Sequence, residues 1–250
     1  MEVKSILPNK SVRQKILKEL KSQHLPNLWI KNSQAISPKE QACLFSSKVL
    51  VVGCGGLGGF VLEMLARIGV GTLIFADGDR FEESNLNRQL YASTSNLGQN
   101  KAKVAQARLK QIAPLCRGIA IPRYLSLQNV VRILPKCDLV LDCVGGIEFK
   151  AELIHVCQKH QQTLITGAVA GWEGFVSSIT ATSKSPLSFF SGVSTKSAEN
   201  TLGTPVTSVN LIATLQVQEA ILWLTQKKLL CLDKVLYVSL DRFDFMWLKL

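Results

Sequence analysis

Hydrophobic residues recur along this chain in two rhythms. Between residues 11 and 22 the apolar positions Val12, Ile16 and Leu20 repeat at helical spacing with lysines on the opposite face, which predicts an amphipathic helix. A second helix is expected at Ser37-Pro38, where a serine suited to capping precedes a proline at the first helical position. Short apolar runs then alternate with helical patterns: strands are predicted over 48–52, 72–76, 139–142 and 163–166, with helices after Gly56, Asn100 and Gly146. This alternation predicts an α/β fold on a parallel sheet with helices on both faces. After Gly171 the texture changes. The run G-F-V-S-S-I-T-A-T alternates and is β-branched, as in an antiparallel strand, and residues 183–208 are rich in Ser, Thr, Gly and Pro, which predicts a long loop. A helix over about 209–224 and two strands near 235–239 and 243–248 are expected to close the fold.

A length of 250 residues, 47% of them hydrophobic, suffices for one α/β core without disulfide staples. The seven cysteines are scattered and contain no C-x-x-C pair, so they read as small buried hydrophobes and no zinc site is expected. No apolar run is long enough to span a bilayer and no signal-peptide pattern follows the basic N-terminus, so a cytoplasmic protein without a membrane partner is expected. Lys and Arg exceed Asp and Glu by 29 to 18, a net charge of +11, which invites an anionic partner without naming one.

The candidate chemistry begins at L-V-V-G-C-G-G-L-G-G, starting at Leu50. G-C-G-G-L-G fits G-x-G-x-x-G between a predicted strand and a predicted helix, where glycines admit a tight turn and the helix N-terminus offers amides to phosphate. Asp77 ends the next strand at the separation expected of a ribose-binding acid. Either a dinucleotide or a nucleoside triphosphate satisfies these features. The following D-G-D-R-F-E-E-S-N-L-N-R-Q-L and L-G-Q-N-K-A-K-V-A add two cations. Arg88 carries a fork suited to phosphate oxygens, and Lys101 falls in the first turn of a predicted helix, where the dipole disfavours a cation unless an anion is bound.

Four pieces in this order, G-x-G-G-x-G, D-G-D, S-N-L-N-R-Q and G-Q-N-K, resemble the ThiF/MoeB/HesA family of ubiquitin-activating-like adenylyltransferases, from about Ile36 to the C-terminus and including G-A-V-A-G-W-E-G and E-N-T-L-G-T-P. The branch resembled is the HesA-like one, without zinc cysteines. The resemblance implies a Rossmann-like parallel sheet extended by C-terminal antiparallel strands. It implies an N-terminal helical extension (1–36) and a single adenylation domain (37–250), with nucleotide bound by residues 48–170 and the carrier and crossover loop in 171–250. The implied cofactors are ATP and Mg. The implied reaction converts the C-terminal glycine of a ubiquitin-like sulfur-carrier protein, ending in Gly-Gly, to an acyl-adenylate with release of pyrophosphate. By similarity Gly53, Gly55, Gly56 and Gly58 form the nucleotide turn, with Asp79 beside it. Asp77 would hold the ribose, Asn85, Arg88 and Lys101 the phosphates, and Gln89 would support that loop. A homodimer is implied, with the apolar helix around Leu211 to Leu224 as candidate interface.

Three departures bear on activity. The family's D-x-x-D-N is D-C-V-G-G here: Asp142 remains, but Gly145 takes the metal-linked position and Gly146 the asparagine's, which leaves Asp142 or Asp79 to hold Mg. Leu28 and Lys31 stand where arginines reach across a dimer in relatives. No cysteine lies between Cys157 and Cys231, so thioester formation is not expected and an external sulfur donor is implied. His24, His155 and His160 lack ligand-like spacing, and Trp172 reads as core or as a wall of the carrier-tail channel. Three alternatives remain: a nucleotide- or carrier-binding pseudoenzyme, a relative of the tRNA threonylcarbamoyladenosine dehydratases, and a nicotinamide dehydrogenase. The tail motifs argue against nucleic acid as the partner.

Overall fold

Lys48–Val52 form the first strand, β1, with all but the first residue buried. Along it Val49 and Val51 point into one apolar cluster and Leu50 and Val52 into another, so both faces of the strand are covered. The computed structural model describes residues 10–187 and 198–250. The remaining strands are β2 (Thr72–Ala76), β3 (Arg117–Ile121), β4 (Leu139–Asp142), β5 (Leu164–Ala170), β6 (Glu173–Ile179), β7 (Lys234–Ser239) and β8 (Asp244–Lys249). They make one eight-stranded sheet in the order β3-β2-β1-β4-β5-β6-β7-β8. Pairings from β3 to β5 are parallel; those from β5 to β8 are antiparallel. This is the expected α/β architecture with its antiparallel extension.

The helices are α1 (Lys10–Lys21), α2 (Pro38–Ser46), α3 (Gly56–Ile68), α4 (Lys101–Ile112), α5 (Leu127–Ile133), α6 (Ile147–Lys159), α7 (Ala198–Leu202) and α8 (Val206–Gln226). The start of α2 is the predicted one: the Ser37 hydroxyl accepts from the Glu40 amide while the Glu40 carboxylate accepts from the Ser37 amide. Leu20 of α1 is buried with Trp29 and Phe45, so the basic helix is seated on the domain by its apolar face. Arg13 fastens it further, donating to the carbonyls of Gly71 and Phe45 at 2.7 and 3.0 Å.

Two elements escaped the pattern. β3 opens with Arg-Gly at the sheet edge and is only half-buried, so it carries no alternation, and α5 is too short to show a period. β5 runs beyond the expected Thr166 because small residues let α8 approach: a Cβ on Gly167 would sit 2.7 Å from the Gln216 side chain. The stretch expected as a loop over 183–208 lies partly outside the described residues; its later part is helical in α7, and α8 starts before the expected Val209. α8 spends most of its apolar length on its own domain, with Ile212, Ala213, Val217, Ala220 and Leu224 buried in the main core. No helix among the described residues is long and apolar enough to cross a membrane.

Candidate nucleotide-binding cleft

The order of strands reverses at β1, whose neighbours β2 and β4 lead to opposite halves of the parallel sheet. Ligands of open α/β sheets settle outside the carboxyl ends of the strands at such a switch point. A cleft of about 530 Å³ opens there, between the turns that follow β1, β2 and β4. The glycine turn makes its floor. Gly53 has φ +97°, and a Cβ there would lie 2.6 Å from the Cys143 carbonyl, so two turns meet through bare backbone. Gly58 serves packing: a Cβ on it would come within 2.0 Å of the Gly53 carbonyl. Gly55 precedes α3 with φ −81° and ψ −134°, and the first amides of that helix have no carbonyl of their own helix to bond.

The residues expected around a nucleotide divide into two groups. Gly53, Gly55, Gly56, Asp77, Asp79, Arg88, Gln89 and Lys101 line the cleft. Gly58, Asn85 and Asp142 do not. Asp77 accepts the Cys54 amide on one oxygen and the Asp79 amide on the other, both at 2.8 Å, which ties the first two turns together. Asn85 is buried, and its side-chain oxygen caps the short turn that carries Arg88 by accepting the Glu82 amide. Arg88 donates to the Ser84 carbonyl and the Asn87 side chain, which holds the guanidinium at the rim.

Lys101 is the first residue of α4, as predicted, and is buried with only 9% of its side chain exposed. Its ammonium lies 3.2 Å from Asp79 Oδ2. Asn100 builds this corner: its side chain caps α4 at the Lys103 amide and donates to the carbonyls of Asp77 and Asp79. Asp79 Oδ1 accepts the hydroxyl of Tyr124. Burial raises the Asp79 pKa, but the Tyr124 hydroxyl and the Lys101 charge outweigh it and hold the carboxyl below its usual value. The same contact pushes the Tyr124 hydroxyl up to about 12.

Asp142 is held elsewhere. It is fully buried at the end of β4, where Oδ2 accepts Lys150 at 2.6 Å and Thr166 at 2.6 Å, and Oδ1 accepts the Val144 amide. Lys150 donates also to the Gly167 carbonyl. Lys150 and Tyr124 were not singled out from the sequence. A signal existed for the first, since Lys150 falls in helical register with the buried Leu153, Ile154 and Cys157 and so sits on the apolar face of α6. None existed for Tyr124, which follows the unpredicted β3. Leu28 and Lys31 lie in a 3-10 turn over Asn27–Asn32 and do not line the cleft of this chain. Burial pushes the Cys157 and Cys231 thiols to about 12, which keeps both protonated and un-nucleophilic at neutral pH.

The donor set fits a nucleoside triphosphate. Gln89 is buried against Gly55, and its side-chain oxygen has no hydrogen-bond partner. An unpartnered acceptor oxygen beside the start of α3 and the cations Arg88 and Lys101 suits a ligand that brings both hydroxyls and phosphate oxygens. The ThiF family model matches residues 30–249. This chain belongs to the ThiF family. Over 146 residues it is 36% identical to the molybdopterin-synthase adenylyltransferase of Haemophilus influenzae, covering 58% of this chain and 60% of that protein. The sulfur carrier protein ThiS adenylyltransferase of Escherichia coli matches at 35% over 134 residues, covering 54% of this chain and 53% of that one. A tRNA threonylcarbamoyladenosine dehydratase of Haemophilus influenzae matches at 35% over 136 residues, covering 54% and 52%. The chain thus spans about half the length of these relatives. Among solved structures, E. coli MccB with ATP shares the fold, with a TM-score of 0.73 and 21% identity over 92% of this chain and 73% of that one.

Proposed function

We propose that this ThiF-family chain is an ATP-dependent adenylyltransferase that activates the C-terminal glycine carboxylate of a ubiquitin-like sulfur carrier. The observation that carries the reading is the meeting of Arg88 and Lys101 with the glycine turn in one cleft at the switch point of the sheet. In the reaction a carboxylate oxygen attacks the α-phosphorus, the mixed anhydride forms and the bond to pyrophosphate breaks. Both reactants are anions, so the enzyme's task is chiefly neutralisation and alignment. Arg88 and Lys101 supply positive charge at the phosphates, Asp77 faces the ribose hydroxyls, and Asn85 acts through the turn that positions Arg88. Gln89 offers its unpartnered side-chain oxygen beside the glycine turn. A magnesium ion bound with the triphosphate would add neutralising charge there. Sulfur would come from an external donor, since no cysteine lies between Cys157 and Cys231 to form a thioester. A homodimer remains part of this reading, and sedimentation tests it.

The test is exchange of labelled pyrophosphate into ATP in the presence of a carrier ending in Gly-Gly. Carrier-dependent exchange that disappears in Lys101→Ala is the expected result. ATP binding without exchange would favour a nucleotide-binding pseudoenzyme. A second reading, adenylation on tRNA, is favoured by the net charge of +11 and by the similarity to threonylcarbamoyladenosine dehydratases. Salt-sensitive tRNA binding, with no carrier-dependent exchange, would select it.

A further inference from the structure

We infer that Asp79 is the carboxylate through which this chain engages the divalent cation accompanying the triphosphate, and that Asp142 serves only to brace the wall of the cleft. The inference rests on the nucleotide reading above and deepens it.

Three carboxylates stand near the turns that form the cleft, and their environments separate them. Asp142 is fully enclosed and makes three hydrogen bonds, two of them with Lys150 and Thr166 at 2.6 Å. Turning it toward a metal would strand the Lys150 ammonium, itself only 3% exposed, without its counter-charge. Asp77 lines the cleft, but each of its oxygens already accepts a backbone amide, and those two bonds shape the turns. Asp79 differs from both. It lines the cleft, its side chain is 48% exposed, and its own partners are side chains that are free to leave.

Those partners are Lys101 on Oδ2 and the Tyr124 hydroxyl on Oδ1. Tyr124 is 69% exposed at the rim, its ring lying over Gly78, where a Cβ would be 2.5 Å away. Nothing encloses it, so swinging out costs little packing. Lys101 is one of the two cations assigned to phosphate. When triphosphate oxygens draw the ammonium, Oδ2 is left bare beside those same oxygens. One carboxylate next to phosphate oxygens, open to solvent on one side, is the donor set that magnesium takes while it keeps most of its waters. Among the described residues no group of three or more metal-binding side chains exists, so the nucleotide and water must complete the shell. Asp79 therefore holds the lysine in place before the nucleotide arrives and the cation afterwards.

The test compares the wild type with Asp79→Asn, which keeps the shape of the side chain and removes its charge. ATP binding is measured by calorimetry with Mg²⁺ and again with EDTA, and Mn²⁺ is followed by electron paramagnetic resonance in the presence of ATP. The wild type is expected to bind ATP at least about tenfold more tightly with Mg²⁺ than in EDTA. Asp79→Asn should bind ATP in EDTA as well as the wild type does, because Lys101 is released, while losing most of the Mg²⁺ enhancement and the protein-bound Mn²⁺ signal. An Asp79→Asn protein that retains the full enhancement overturns the inference and leaves the nucleotide reading intact. A wild type that gives no heat with ATP under either condition overturns both.

Discussion

At the scale of single residues, the cleft is governed by what surrounds each charge. Asp79 follows β2 and Asp142 ends β4, yet one faces solvent between a lysine and a tyrosine and the other is sealed beneath α6. The Tyr124 contact makes a measurable prediction. Its folded pKa of about 12 lies above the ordinary value of 10.0, so the hydrogen bond contributes stability below pH 10 that is lost as pH rises through about 12. Absorbance titration of the three tyrosines should show one of them returning toward 10 in Asp79→Ala. An unchanged titration would place the Tyr124 hydroxyl elsewhere. Gly53 makes the second prediction. Alanine there must take φ +97° and press its Cβ to 2.6 Å from the Cys143 carbonyl. Strain of that kind costs about 1–3 kcal/mol. Gly53→Ala should lower the urea midpoint and remove ATP binding, with the far-ultraviolet circular dichroism spectrum unchanged.

Among elements, β4, β5 and α6 are held together by a buried cation. Lys150 reaches from α6 to Asp142 on β4 and to Thr166 and the Gly167 carbonyl on β5. Removing one partner of a fully buried pair strands the other, at a cost of about 3–5 kcal/mol. Lys150→Met should therefore unfold at distinctly lower urea, and Asp142→Asn added to it should recover part of the loss. If Lys150→Met alone is as stable as the wild type, the pair does not brace these elements. The elements themselves were mostly legible in the sequence. β1, β2 and β4 are short apolar runs bounded by turn residues, and Ser37 and Asn100 mark helix starts by local chemistry that needs no distant partner. β3 and α5 were not legible, because an edge strand opening on Arg-Gly and a helix of seven residues take their form from the neighbours they pack against.

For the molecule as a whole, the sheet carries a gradient of protection. β1, β2 and β4 are buried throughout or nearly so, whereas β8 lies at the sheet's edge with Phe245 and Trp247 about half exposed. Hydrogen exchange should be slowest in β1 and β4 and fastest in β8, since opening an edge strand exposes little core. Exchange in β8 as slow as in β1 would mean that the edge is covered in solution.

The chain's order of residues by itself determined where most strands and helices start, that they alternate into a parallel sheet, and that glycines, Asp77, Arg88 and Lys101 are candidates for one cleft, which the fold does bring together. These depend on short-range sterics, capping and periodicity, which act between residues near each other in sequence. Only the tertiary structure decided how each carboxylate is partnered and how far it is exposed. Lys150 and Thr166 claim Asp142, and Tyr124, 45 positions from Asp79, meets it across the cleft. Such pairings follow from the stacking order of strands, and a charge's role depends on the dielectric and partners that this stacking places around it.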